Sequence, residues 1–315
     1  MRNRKKPVIA TSVIATLALL TAGCGGGDGG GGSAGSDRLD GVSITVGSKD
    51  FTENILLGEM FAQALENEGA SVDEKINLGG TNVNRKALLS GDIDVYPDYN
   101  GTGWTVHLGN ENPSDDPQEL YDATAKQDLE KNDIKWVGLS NFNDTYGFAA
   151  NGDLAKKEGG FDFDSMAAYL KANPDATVCM ETEFPDRPDG LVLWENATGY
   201  KLPGSQTKIL DTGLIYTETA AGKCDFGEVF TTDGRLTSLN LDLVDDPGAM
   251  ILYNVSFTMS NKVYAAHADV YDELAKTILA DIDNEKMAEL NALVDIEGQP
   301  AKKVAEDYLK EIGVL

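Results

Sequence analysis

Apolar and polar positions between residues 42 and 315 follow two periods that take turns. Residues 42–46 have strand spacing, and Gly47-Ser48-Lys49 reads as the exit turn. Leu57, Met60, Phe61, Ala64 and Leu65 then recur at helical spacing up to Gly69, with Asp50 placed to cap that helix and Glu53 at the reciprocal capping-box position. Residues 75–78 predict a second strand, and Gly79-Gly80-Thr81 leads into a helix over 84–90. Ile93, Val95 and Tyr96 predict a third strand, ended by Pro97, which has no N–H for the ladder. A helix begins at 104–108, a second runs over 119–132, and a strand covers 134–138. The polar turn before Tyr146 reads as a first crossing into another unit. There helices at 163–172, 191–198 and 214–221 alternate with strands at 177–180, 208–211 and 241–245. Residues 251–257 read as the return crossing, and helices over 270–282, 286–294 and 300–312 follow.

Strands alternating with helices predict an α/β chain with mostly parallel sheets. Two crossings divide it into one lobe of residues 41–142 plus 256–315 and a second lobe of residues 143–255. In such sheets ligands meet the carboxyl ends of the strands. Residues 47–49, 99–102, Tyr146, 181–187 and 230–233 all follow strands or lie at a crossing, so they are expected to share one cleft.

One stretch occurs twice. Gly91-Asp92-Ile93-Asp94-Val95-Tyr96-Pro97-Asp98-Tyr99 aligns without a gap with Gly222-Lys223-Cys224-Asp225-Phe226-Gly227-Glu228-Val229-Phe230. Each copy follows a helix, and each ends in an aromatic and a hydroxyl-rich turn. Two similar lobes, each aiming an aromatic at the cleft, are the expectation.

Residues 1–23 read as a lipoprotein signal peptide. Arg2, Arg4, Lys5 and Lys6 precede an apolar run at 8–20 that is too short to span a bilayer. Leu20-Thr21-Ala22-Gly23-Cys24 resembles a bacterial lipobox, with Thr21 where the pattern prefers Leu. Cys24 is the expected lipidation site, and the Gly-rich run up to residue 40 reads as a tether. The expected location is the extracytoplasmic face of the bacterial cell membrane. The whole chain has a net charge of −26; without residues 1–23 it holds 22 basic and 52 acidic residues, or −30. Nucleic acid is a poor partner for such a chain. Cys179 and Cys224 are an even pair in an oxidising compartment and are expected to form a disulfide.

The chemistry on offer favours binding over catalysis. There are two histidines, His107 and His267, on separate predicted helices, and no nucleophile-elbow, zinc-protease, Cys-x-x-Cys or phosphate-loop motif. Asp92, Asp94 and Asp98 lie close in sequence but lack the pattern of a calcium loop, so no metal or other cofactor is expected. What remains is a cleft lined by aromatics with few cationic groups. Aromatic faces attract cations, and several around one point make a cage for quaternary ammonium.

At these residues the sequence resembles the substrate-binding proteins of ABC uptake systems for glycine betaine, carnitine and choline. The likeness rests on Val46-Gly47-Ser48-Lys49-Asp50-Phe51-Thr52-Glu53, Leu78-Gly79-Gly80-Thr81, the 91–103 stretch, Thr231-Thr232-Asp233-Gly234-Arg235, and Glu289-Leu290-Asn291 through Asp295. It implies a two-lobed, periplasmic-binding-protein-like clamp of type II. It also implies a monomer that hands a quaternary ammonium solute to an ABC permease. A polar amino acid or another small solute on the same clamp, or a tethered sensor, is the rival. The resemblance places cage aromatics at Tyr99, Tyr146, Phe230 and Tyr253, with Phe230 where the family usually has Tyr. It places groups for a solute carboxylate at Lys49, Thr102 and Arg187, and a carbonyl facing the cation at Asp144. Loss of Lys49 is then expected to hurt betaine more than choline.

Overall fold

The computed structural model describes residues 37–315. Strands β1 (Ser43–Gly47), β2 (Ser71–Lys75), β3 (Val95–Tyr99) and β4 (Ile134–Val137) precede the first crossing. Strands β5 (Tyr146–Asn151), β6 (Val178–Met180), β7 (Thr207–Ile209), β8 (Phe226–Phe230) and β9 (Leu241–Leu243) follow it, and β10 (Val255–Ser260) comes after the return. They form two five-stranded sheets of one plan, β2-β1-β3-β10-β4 and β7-β6-β8-β5-β9.

The α/β, two-lobed reading holds, but the sheets are mixed. The first three strands of each are parallel, whereas β10 runs antiparallel to β3 and β4, and β5 antiparallel to β8 and β9. The reason lies in the crossings. A strand arriving from the other lobe enters its sheet at the cleft end, where the central strand leaves it. Val255 accordingly pairs with Tyr99, and Tyr146 with Phe230.

The repeated stretch is structural. β3 and β8 are the central strands of their sheets. Gly91 and Gly222 both end helices at positive φ, 77° and 71°. Asp94 accepts the Thr45 backbone N–H and Asp225 that of Thr177, each at 2.8 Å. The aligned aspartates therefore do the same job, fixing the central strand to its parallel neighbour.

Local departures from the pattern have physical causes. β2 spans Ser71–Lys75, not 75–78; its side chains are half-buried or exposed, so it lacks the apolar run that marks inner strands. Residues 255–257 belong to β10 and not to the crossing, and β3 is not ended by Pro97 but runs on to Tyr99, paired with β10 over that length. The helix Thr52–Asn67 starts after Phe51 with no side-chain cap, so the expected capping box does not form. Glu53 is instead turned inward and buried. The core of the first lobe packs this helix against the helix Ala301–Glu311, and Phe61 stacks on Phe257 at 4.1 Å.

Two glycines let the turn after β3 sit close to its surroundings. A Cβ on Gly101 would lie 2.3 Å from the Leu252 carbonyl oxygen, and one on Gly103 would lie 2.5 Å from the Trp136 ring. The turn that follows Tyr99 can thus press against both the return crossing and the core.

Cys179 and Cys224 are joined by a disulfide, with Cα atoms 5.9 Å apart. Cys179 sits on β6 beside β8, just ahead of which Cys224 lies. Closing this loop contributes about 4 kcal/mol in the chain-entropy view. A double Cys→Ser variant is expected to lose about that much stability in denaturant melts without reductant. An unchanged midpoint would contradict a structural role for the bond.

Candidate functional site

The carboxyl ends of the two sheets face each other across a cavity of about 400 Å³. Lys49, Tyr99, Thr102, Asp144, Tyr146, Arg187, Phe230 and Tyr253 all line it. The sequence-expected residues are therefore brought to one place.

Phe51 belongs with them, and the sequence reading missed it as a wall. It closes a loop of five rings. Centroids step from Tyr99 to Tyr253 at 6.3 Å, to Tyr146 at 5.3 Å, to Phe230 at 5.3 Å, to Phe51 at 5.0 Å and back to Tyr99 at 6.0 Å. Its signal was available, since Phe51 lies in the exit turn of β1, the same place that supplies Lys49. Strand and crossing ends explain the rest: β3 ends at Tyr99, β8 ends at Phe230, β5 begins at Tyr146, and Tyr253 stands just before β10.

The cationic groups come with partners. Lys49 Nζ lies 2.8 Å from Asp98 Oδ1 and 4.9 Å from the centre of the Tyr99 ring. Asp98 also contacts His107 Nε2 at 2.7 Å and accepts the Tyr96 hydroxyl and the Tyr99 backbone N–H. Burial alone would raise the Asp98 carboxyl, but Lys49 and His107 together hold it well below the usual carboxylate range. The three acids of the 92–98 segment thus have structural partners, Asp92 pairing with the Ser90 hydroxyl.

Arg187 spans the cleft. Its Nε and Nη2 grip Asp189 at 2.8 and 2.9 Å, its Nη1 reaches Thr81 at 3.0 Å and Glu183 at 3.4 Å, and its Nη2 reaches Thr102 at 3.2 Å. A guanidinium has five N–H groups, and these five contacts use them. Arg187 therefore acts as a strap from the second lobe to Thr81 and Thr102 of the first, and Asp189 reinforces it by accepting from Thr105 at 2.8 Å. A solute carboxylate reaching Arg187 would have to exchange with one of these partners.

Behind Phe51 and Phe230 lies a second set of buried groups. Glu53 accepts the Tyr99 hydroxyl at 2.8 Å, and Thr232 lies against both Glu53 and Asp144. The Asp144 carboxyl thus faces Thr232. The capping pattern had hidden Glu53, because a Glu three residues after an Asp reads as a local helix signal.

Residues 42–311 match the family described as the substrate binding domain of the ABC-type glycine betaine transport system. The chain belongs to this family. It is therefore a substrate-binding protein of a transport system and not an enzyme. It is 32% identical over 278 residues to the glycine betaine-binding protein YehZ of Escherichia coli, covering 86% of this chain and 90% of that one. It is 32% identical over 281 residues to a glycine-betaine-binding protein of Pseudomonas aeruginosa, covering 85% and 88%. The solved structure of apo YehZ superposes with a TM-score of 0.62 at 31% identity, covering 87% of this chain and 99% of that one. The glycine betaine family match spans both lobes and both crossings, so it takes in every residue of the five-ring loop.

Proposed function

We propose that this protein captures a quaternary ammonium compatible solute of the glycine betaine, choline and carnitine class and delivers it to an ABC permease. The observation that carries the reading is the closed loop of Phe51, Tyr99, Tyr253, Tyr146 and Phe230 around one cavity. A trimethylammonium group has no N–H to satisfy, so a wall of ring faces costs it nothing in hydrogen bonds. A primary ammonium has three donors, which ring faces leave unpaired, and an unpaired buried donor costs about 1–3 kcal/mol. The same wall therefore attracts one class and rejects the amino-acid rival. The relatives whose names specify glycine betaine or carnitine support the same class.

Glycine betaine is favoured over choline by a modest margin. Its carboxylate can take donors of Lys49, which has three N–H and gives one to Asp98, and the hydroxyl of Thr102, the last residue of the short helix Asn100–Thr102. Titration calorimetry on residues 37–315 with glycine betaine, choline, carnitine and proline betaine, beside a panel of amino acids, tests the class. Heat from an amino acid and none from any quaternary solute would refute it.

The acylated Cys24 and its Gly-rich tether would hold the clamp at the outer face of the membrane; both lie outside the described residues. No helix among the described residues is long and apolar enough to cross a membrane. Intact mass of the membrane-extracted protein should show an acylated N-terminus at Cys24. An unmodified N-terminus in the soluble fraction would count against the anchor.

A further inference from the structure

Three elements meet in the cleft floor. Glu53 comes from the helix Thr52–Asn67 of the first lobe, Asp144 from the first crossing, and Thr232 from the turn after β8. Their exposures are 3%, 4% and 1%. The Thr232 hydroxyl oxygen lies 2.5 Å from Glu53 Oε2 and 2.6 Å from Asp144 Oδ1. A hydroxyl has one proton to donate and lone pairs to accept. Thr232 cannot donate to both carboxyl groups, so one of the two must itself carry a proton and donate. Glu53 is the better holder: Asp144 Oδ1 takes both the Thr232 hydroxyl and, at 3.4 Å, the Thr232 backbone N–H, which favours its ionised form, and with Glu53 Oε1 accepting the Tyr99 hydroxyl at 2.8 Å the Glu53 proton falls on Oε2, facing Thr232. We propose that Glu53 is a protonated latch of the closed clamp and a determinant of solute affinity, joining cage wall Tyr99 to Thr232 and Asp144, so that closure takes up one proton.

The surrounding charges leave that proton necessary. Asp233, in the turn that carries Thr232, is held by Arg235, and the same guanidinium lies 3.4 Å from Asp295 of the helix Asn284–Asp295. Asp295 also accepts the Thr52 hydroxyl. Lys49 is given to Asp98. Burial first, and the Asp144 charge second, push Glu53 well above the usual carboxylate range, and burial pushes Asp144 up to about 6.

The sign follows. The latch requires that parting the lobes expose both carboxyls to water, where they would titrate nearer their ordinary values. The closed clamp then binds more protons than the open one from the ordinary range up to the raised Glu53 value. Closure weakens as pH rises through that window, by at most about tenfold per unit, and levels off above it. An ammonium in the cage favours the ionised pair and narrows the window from its upper end.

The latch rests on the closed geometry, and the solute used to probe it rests on the proposed function, so the test has two arms. In the first, carbon NMR follows ¹³C-labelled glutamate carboxyls with pH, with and without glycine betaine. One resonance is expected to stay at its protonated position at pH 6–7 and to vanish in Glu53→Gln. Glu228, buried and pushed up to about 8, supplies a second raised signal that survives in the variant. In the second arm, glycine betaine affinity is measured from pH 5.5 to 8.5. Wild type should weaken with pH, Glu53→Gln should stay flat near the acid-side value, and Glu53→Ala should be weak throughout. A Glu53 carboxyl ionised at pH 6 in every condition overturns the latch, as does a Glu53→Gln profile with the wild-type slope. If neither glycine betaine nor choline binds wild type, the solute reading fails and the NMR arm alone decides the latch.

Discussion

Lys49→Met is expected to cost about 3–5 kcal/mol of stability and to weaken binding of every solute in the class. Lys49 and Asp98 are 5% and 0% exposed at their side chains, and their atoms meet at 2.8 Å. Removing Lys49 leaves the buried Asp98 carboxylate with only His107, the Tyr96 hydroxyl and the Tyr99 N–H as partners, and breaking a buried pair carries a penalty of about that size. Methionine keeps most of the volume, so the loss is electrostatic and not a cavity. The melting temperature should fall by on the order of 10 °C. Binding suffers because Asp98 also accepts the backbone N–H of Tyr99 and so sets the end of β3. Adding Asp98→Asn should restore most of the stability. In that double variant choline binding should recover further than glycine betaine binding, since the ammonium that greets a carboxylate is still gone. Thermal melts and calorimetry on the three proteins check this. Equal recovery for both solutes would remove Lys49 from carboxylate recognition and leave it a structural partner of Asp98.

Tyr99→Ala should weaken all quaternary solutes by at least about thirtyfold. One desolvated cation–π wall contributes about 2 kcal/mol, and 1.4 kcal/mol is a factor of ten. The loss should be even across the class, because in the proposed cage the ring would meet the ammonium that all members share. Tyr99→Phe separates the two functions of the residue: it keeps the face and removes the hydroxyl that Glu53 accepts at 2.8 Å. It should therefore bind several-fold more weakly than wild type and far better than Tyr99→Ala. Equal affinities for wild type and Tyr99→Ala would take Tyr99 out of the cage.

Much of this site was legible because it follows from strand order. Tyr99 and Phe230 were marked by a repeat, and the repeat is visible because each lobe needs a helix-ending Gly, a strand-fixing Asp and an aromatic at the end of its central strand. The positions at crossings, Tyr146 and Tyr253, follow from where the alternation of helix and strand breaks. What stayed hidden depends on contacts between residues far apart in sequence. Phe51 looked like one more apolar residue before a helix, and its ring partners Tyr99 and Phe230 lie 48 and 179 positions away. Glu53 carried a local signal that fitted a cap, and the buried partner Thr232 overrode it. The sequence places Arg187 as a cation for a solute carboxylate, and its contacts add a role that the sequence does not show. Asp189, two residues on, together with Glu183, Thr81 and Thr102, makes it a strap. The parallel sheets expected from alternation became mixed because β5 and β10 enter from the opposite lobe, which local spacing does not record.

In the proposed function the five-ring loop would read methyl groups, so removing them one at a time tests it most directly. Glycine betaine, dimethylglycine, sarcosine and glycine share a carboxylate and differ in the N–H groups that the rings must leave unpaired. Calorimetric titration of residues 37–315 with this series should show affinity falling at each step, with glycine too weak to detect. Affinity that stays level along the series, or rises toward glycine, would contradict the aromatic cage as the basis of recognition.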